Sequence, residues 1–357
     1  MPKTKTLLNI SFRFSAVVLM DYKFFIGSIP IKYGVMLAPM AGVTDKAFRR
    51  ICRENGAEYM VSEMISAKAL IYGDKKTPAL AAVYAEEKPL ALQIFGSEPE
   101  TMAQAAKILS ETPTLTGGNT PSAIDINMGC PVPKVAGNGE GSALMRQPVL
   151  AGKIMQSVRN ATKLPVTVKI RTGWNALEKN CVEIAKIAVS CGMDMICVHG
   201  RTREQQYEPP VDLDSIAAVR QAVPAHIPVI GNGGIDSPES ALHMIRYTGC
   251  DGIMLARGVR GNPWLFQEIL AHMQGKKYKY PTKMERLQTA LRQVRIMMQD
   301  KGERIGLLEA RKHLAWYTRG MPDSAALRHA INRAENYTEI EHLFYDHLTE
   351  APCSLEE

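Results

Sequence analysis

The chain of 357 residues has few of the features that would place it outside a reducing, aqueous compartment. Its seven cysteines are odd in number and scattered, with no Cys-x-x-Cys pair. A disulfide framework is therefore excluded, and the thiols read as those of a cytoplasmic protein. No cysteine or histidine stands close to Cys130 in sequence, so no local metal site is expected there. No apolar run is long enough to cross a bilayer: Leu7 to Met20 is interrupted by Arg13 and several polar residues, and it has no small-residue cleavage site. Low-complexity tracts are absent. The formal charge of +7 permits a nucleic-acid partner without requiring one.

What is present is a regular alternation. Short, largely apolar runs occur at Val35–Leu37, Tyr59–Ser62, Leu90–Phe95, Ile124–Asn127, Val166–Ile170, Met195–His199, Val229–Gly231 and Gly252–Leu255. They look like strands buried on both faces. Helix signals lie between them. Ser97-Glu-Pro-Glu100 reads as a capping box opening a helix through Leu109. Ser237-Pro-Glu239 opens another that Gly249 can end, and Glu178 to Val189 is apolar at helical spacing. Thr112 to Ser122 reads as a surface loop. Eight strands alternating with helices predict an α/β fold, a (β/α)₈ TIM barrel, with an open doubly wound sheet as the competitor.

In such a barrel, chemistry gathers where the strands end. The first run is followed by Ala38-Pro39-Met40-Ala41-Gly42, small enough for a flat ligand to lie on backbone. Gln93 offers a donor and an acceptor. Asn127-Met-Gly-Cys130-Pro places a thiol at a strand-to-loop break, able to act as nucleophile or proton donor. Lys169 alternates with apolar neighbours and would point into the mouth, where a buried lysine needs an acceptor or anion. His199-Gly-Arg201-Thr-Arg203, Asn232-Gly233-Gly234 and Ala256-Arg257-Gly258 follow the last three strands, the last two in the arrangement that binds phosphate.

These blocks, Leu37–Asp45, Gln93–Glu100, Asp125–Ala143, His199–Thr202 and Gly231–Gly234, resemble the tRNA-dihydrouridine synthases, especially their bacterial B branch. The resemblance runs from about Phe25 to Ile340. It implies FMN contacts from Pro39, Met40, Ala41, Gln93, Lys169, His199, Asn232, Gly233, Gly234, Ala256 and Arg257, and Cys130 as catalytic acid. Ala256 stands where many relatives have glycine, and Glu208-Pro-Pro follows Tyr207 where they often have another sequence. Residues 1–20 then read as a poorly ordered extension preceding the family's usual start, 21–280 as the FMN-binding barrel and 281–350 as a small helical tRNA-binding domain. The expected reaction reduces specific uridines of tRNA to 5,6-dihydrouridine. Hydride goes from reduced FMN to C6, a proton goes from Cys130 to C5, and FMN is re-reduced by NADPH or NADH. The protein is expected to be a monomer with no membrane partner.

The charge pattern fits an RNA partner. Between Lys283 and Arg333 stand eleven Lys/Arg against five Asp/Glu. Met284, Leu287, Leu291, Val294 and Met298 form an apolar helical stripe, with Arg286, Arg292 and Arg295 expected opposite, toward RNA phosphates. Asn127, Arg171, Arg201 and Arg203, around the mouth, are further candidates for tRNA contact. A dihydroorotate-dehydrogenase-like flavin barrel, a small-molecule ene-reductase and a non-enzymatic phosphate-binding barrel remain as alternatives, none of which accounts for both Cys130 and the basic tail.

Overall fold

The computed structural model describes residues 22–74 and 77–350, so the expectation for residues 1–20 lies outside the described residues. A short antiparallel hairpin, β1 (Phe24–Ile26) and β2 (Ile29–Ile31), comes first. Eight parallel strands follow: β3 (Val35–Leu37), β4 (Tyr59–Ser66), β5 (Leu90–Phe95), β6 (Ala123–Met128), β7 (Val166–Arg171), β8 (Met195–His199), β9 (Val229–Asn232) and β10 (Gly252–Leu255). Each pairs with the next and β10 closes onto β3, giving a closed barrel. The eight expected runs all become strands. The hairpin was not anticipated, because two three-residue strands carry too little alternation to stand out.

Side-chain period explains the layering. Leu90, Leu92 and Ile94, Ile124 and Ile126, and Val166, Val168 and Ile170 pack outward against the helices. Ala91, Ala123, Met195, Cys197, Ile230 and Met254 point inward, where the hairpin's Ile26 and Ile31 join them. The hairpin thus plugs the amino-terminal end of the barrel with apolar side chains. Only the carboxyl-terminal mouth is left for polar chemistry.

Two helix starts differ from expectation. The helix Pro99–Glu111 is capped by Glu98 and not Ser97, with no side-chain cap bond. Glu98 instead pairs with Lys68 and accepts from the Thr101 hydroxyl, so its carboxylate is spent on side chains. The helix expected from Glu178 begins at Cys181, because Gly173 and Lys179 form an antiparallel bridge that holds the preceding loop. Ser237 does make a capping box, with Ser240, and Gly249 ends that helix at φ +66.

Beyond the barrel, helices Lys283–Lys301, Glu303–Tyr317, Ser324–Arg333 and Tyr337–Glu350 form a second core around Leu287, Leu291, Val294, Leu314 and Phe344. Met284, placed in the apolar stripe from sequence, is exposed. Among the described residues no helix is long and apolar enough to cross a membrane.

Candidate active site

Two-residue alternation aims Gln93, Asn127, Lys169, His199 and Asn232 inward from five successive strands, one layer above the apolar plug. Lys169 Nζ donates to Asn232 Oδ1 at 2.9 Å, and Asn232 Nδ2 donates to the Met254 carbonyl at 2.6 Å. Asn127 Nδ2 donates to Gln93 Oε1 at 2.7 Å, and Gln93 Nε2 donates to Asp125 Oδ2 at 2.7 Å. Pro39, Met40 and Ala41 form the rim after β3, where the Thr44 hydroxyl bonds both the N–H and the carbonyl of Met40. Ala256 follows β10 on the other side.

Cys130 stands where β6 breaks. Asn127 Oδ1 accepts from the N–H groups of Gly129 at 3.2 Å and Cys130 at 3.0 Å. The Gly129 carbonyl takes Arg171 Nε at 2.6 Å, and the Cys130 carbonyl takes the Ser142 N–H at 3.1 Å. Gly141, at φ +59, lies so close that a Cβ there would stand 3.1 Å from Cys130 Cβ. Of the described cysteines Cys130 alone is not buried. Burial still pushes its thiol up, so it carries its proton at neutral pH and can donate it.

The rest of the mouth is strongly cationic. Burial first, then Lys169, Arg171, Arg201 and Arg257, hold His199 well below the usual imidazole range. Arg201 Nη1 lies 3.2 Å from His199 Nε2. A guanidinium can only donate, so Nε2 accepts and the single ring proton sits on Nδ1. Among the described residues none of these four cations forms an ion pair. Lys169 has only a neutral amide, and the arginines have carbonyls: Arg171 meets Thr202 and Gln206, Arg201 meets Glu208, and Arg257 meets Tyr207. Beside them Gly233 (φ +118) and Gly234 (φ +66) turn the chain after β9. A Cβ on Gly233 would stand 2.9 Å from His199 Cδ2, and one on Gly234 would stand 2.8 Å from Val211 Cγ2. Among the described residues neither glycine N–H meets an acceptor. Two free N–H groups within a field of unpaired cations are suited to a dianionic phosphate.

Several expected RNA contacts are placed differently. Arg171 and Arg201 are 2% and 4% exposed. They hold the Cys130 loop and the 202–208 loop from within. Arg203 is partly exposed, over the Trp174 ring at 4.7 Å, with Arg146 at 5.1 Å from the same ring. Arg286, Arg292 and Arg295 do not share one face, because Arg286 and Arg295 are nine residues, two and a half turns, apart. Arg292 forks onto Glu54 of the helix Lys46–Glu54, Arg295 pairs with Glu341 at 3.0 Å, and Arg286 reaches the Tyr317 carbonyl at 3.5 Å. Sequence reasoning missed Asp125 and Thr167, each two residues below an expected site residue on the same inward face. It also missed Tyr207, over whose ring Arg257 stacks at 4.8 Å and Arg171 at 5.7 Å.

The molecule is a closed parallel barrel with a partly exposed thiol and a phosphate-suited corner at its mouth, followed by a helical bundle. The family described as dihydrouridine synthase matches residues 36–351. The chain is 40% identical to tRNA-dihydrouridine synthase B of Vibrio parahaemolyticus, over 86% of this chain and 93% of that one. It is 41% identical to the same-named protein of Shewanella oneidensis, over 89% and 98%. It is 40% identical to a probable tRNA-dihydrouridine synthase of Rickettsia conorii, over 86% and 91%. The chain belongs to the dihydrouridine synthase family.

Proposed function

We infer that this protein is a tRNA-dihydrouridine synthase that holds FMN in the barrel mouth. The observation that carries this reading is a mouth in which Lys169, Arg171, Arg201 and Arg257 surround His199 without an ion-pair partner among the described residues, with the unpaired N–H groups of Gly233 and Gly234 beside His199 and Arg201 and a protonated thiol in the same mouth. A doubly charged phosphate would offset half of that charge. The inward layer of Gln93, Lys169 and Asn232 offers the mix of donors and acceptors that a flavin edge needs. Bound FMN would supply hydride for C6 of uracil and take it in turn from NADPH or NADH.

The protein's own residues then have distinct tasks. The C5=C6 bond of uracil is conjugated to its C4 carbonyl, so a nucleophile arriving at C6 leaves C5 in need of a proton. Cys130 provides it from the loop after β6, and Asn127 fixes that loop by its backbone. The base must leave its stack to reach the mouth. The helical bundle would hold the rest of the tRNA. Its Lys312 overhangs the rim, with Nζ 3.8 Å from where a Cβ on Gly42 would stand, and Arg260 of the barrel stacks on Trp316 of the bundle at 4.8 Å. Purified protein should be yellow and release FMN on denaturation, and tRNA from cells lacking the gene should lack dihydrouridine at particular positions. A colourless protein and an unchanged dihydrouridine map would refute the reading.

A further inference from the structure

Beneath Cys130 runs a chain of buried hydrogen bonds with one fixed direction. The Thr167 hydroxyl donates to Asp125 Oδ1, and Gln93 Nε2 donates to Asp125 Oδ2. Asn127 Nδ2 donates to Gln93 Oε1, and Asn127 Oδ1 accepts the N–H groups of Gly129 and Cys130. Gln93, Asp125 and Thr167 are at most 1% exposed and Asn127 is 7% exposed, so solvent reaches only the loop end of the chain. An amide can turn over and exchange its oxygen with its nitrogen, but a carboxylate can only accept. Asp125 therefore decides which way Gln93 faces, Gln93 decides which way Asn127 faces, and Asn127 presents an oxygen to the loop.

We propose that Asp125 is a positioning residue whose carboxylate, acting through Gln93 and Asn127, holds the Gly129–Cys130 backbone in the conformation that delivers the thiol to its substrate. The role of Cys130 as proton donor rests on the function inferred above; the relay itself does not. With Asp125→Asn, the single remaining oxygen cannot accept from both Thr167 and Gln93 as the carboxylate does; where it keeps the Thr167 hydroxyl, its NH₂ faces Gln93. Gln93 must turn to offer oxygen, its own NH₂ then faces the NH₂ of Asn127, and Asn127 must turn in its place. The loop N–H groups are left facing a donor. With Asn127→Asp added, the reversed chain is complete again: the amide introduced at position 125 donates to Gln93, Gln93 donates to the new carboxylate, and that carboxylate accepts both loop N–H groups. Moving the charge along the chain should restore what removing it breaks.

The test reads amide hydrogen exchange of the peptide containing Gly129 and Cys130, in wild type, both single variants and the double variant, beside single-turnover reduction of tRNA by the pre-reduced enzyme. In Asp125→Asn those amides should exchange about tenfold or more faster, as local openings become easier, and uridine reduction should slow by roughly 10–100-fold. The double variant should regain wild-type protection, a coupling that a double-mutant cycle isolates. Unchanged protection in Asp125→Asn overturns the proposal. So does a double variant no better protected than the singles, since a charge needed only at position 125 for packing is not restored from position 127. If Asp125→Asn does not fold, a folded and protected double variant supports the relay, and an unfolded one overturns it. Because exchange is read without any turnover, a wild-type enzyme inactive on tRNA would sink the function and leave the relay standing.

Discussion

Lys169→Met offers the sharpest separation between a residue that serves a ligand and one that serves the fold. The substitution keeps the stem and removes the charge. Burial, first, and the nearby Arg171 hold the Lys169 amine below its ordinary range, so the folded protein retains this cation at a cost. At an effective dielectric near 20, a like charge ~8 Å away costs about 2 kcal/mol, and an anion ~4 Å away returns about 4 kcal/mol. Without ligand, the variant gains relief from burial and repulsion but loses the attraction of Asp125 and leaves Asn232 Oδ1 without its donor, the last a loss of about 1–2 kcal/mol. These effects nearly cancel, so flavin-free variant and wild type should melt within a few degrees of each other. With ligand, the loss of ~3–4 kcal/mol should weaken FMN binding by roughly 10²–10³-fold. The assay is titration of deflavinated protein with FMN by fluorescence quenching, with melting curves at zero and saturating FMN. A flavin-free variant that melts far lower yet binds FMN normally would make Lys169 a scaffold residue and refute the reasoning.

Other outcomes follow from the same geometry. Gly233→Ala places a methyl 2.9 Å from His199 Cδ2 at φ +118; the strain of about 1–3 kcal/mol should lower flavin content in the purified protein, and full occupancy would exclude a phosphate cradle there. Cys130→Ala should leave a yellow protein whose FMN is reduced normally by NADPH while single-turnover reduction of tRNA slows by roughly 10²–10⁴-fold; equal loss in both steps would make the thiol structural. His313 is held down to about 4, chiefly by burial, with its Nε2 unpartnered. An unfolded histidine gains a proton below about pH 6.5 and the folded one does not until about pH 4, so stability falls as pH drops across that window, by on the order of 3 kcal/mol. Asp125, raised to about 6 mainly by burial, works in the opposite sense, gaining stability as pH falls from about 6 toward its unfolded value. His313→Phe should therefore flatten the acid limb in urea melts between pH 6.5 and 4, and an unchanged slope would contradict the assignment.

The barrel was legible because its strands are buried on both faces and so read as short apolar runs, most of them ending in a glycine, a polar residue or both. Lys169, between Val168 and Ile170, could be assigned to the inward face by period alone. The same period, followed one step down β6 and β7, would have found Asp125 and Thr167. They were passed over because polar residues in mid-strand look like scaffold until their partners on neighbouring strands are known. The partners of the arginines were hidden for a related reason. Composition shows that Arg171 and Arg201 are charged but not that backbone carbonyls of the 202–208 loop have folded over them. Arg292 looked free because its partner, Glu54, is 238 residues away. Long-range pairing of this kind leaves no mark in local sequence.

That pairing bears on how a mobile substrate could be read by a rigid site. The helix Lys46–Glu54 begins directly after the Pro39–Thr44 rim and carries the bundle along its length. Ala47 and Ile51 lie in the bundle's own core, and their burial supplies the attachment. At its start Asp45 caps the helix through the Phe48 N–H and also accepts Lys301 Nζ at 2.7 Å, while Lys46 meets Asp300 at 3.3 Å. At its end Glu54 takes Arg292. The pairs at Lys46 and Glu54 are exposed or partly so, and each is worth at most about 1 kcal/mol, but the two ends together fix direction where apolar packing alone would allow rotation. Burial would raise the Asp45 carboxyl, yet it is held low with Lys301 of the bundle and the Phe48 N–H bonding its charged form, so this anchor stays charged at neutral pH. On the function inferred above, the element that shapes the flavin rim is also the element that aims the RNA-holding bundle. The choice of uridine would then depend on the bundle's fixed angle as well as on the pocket that receives the base.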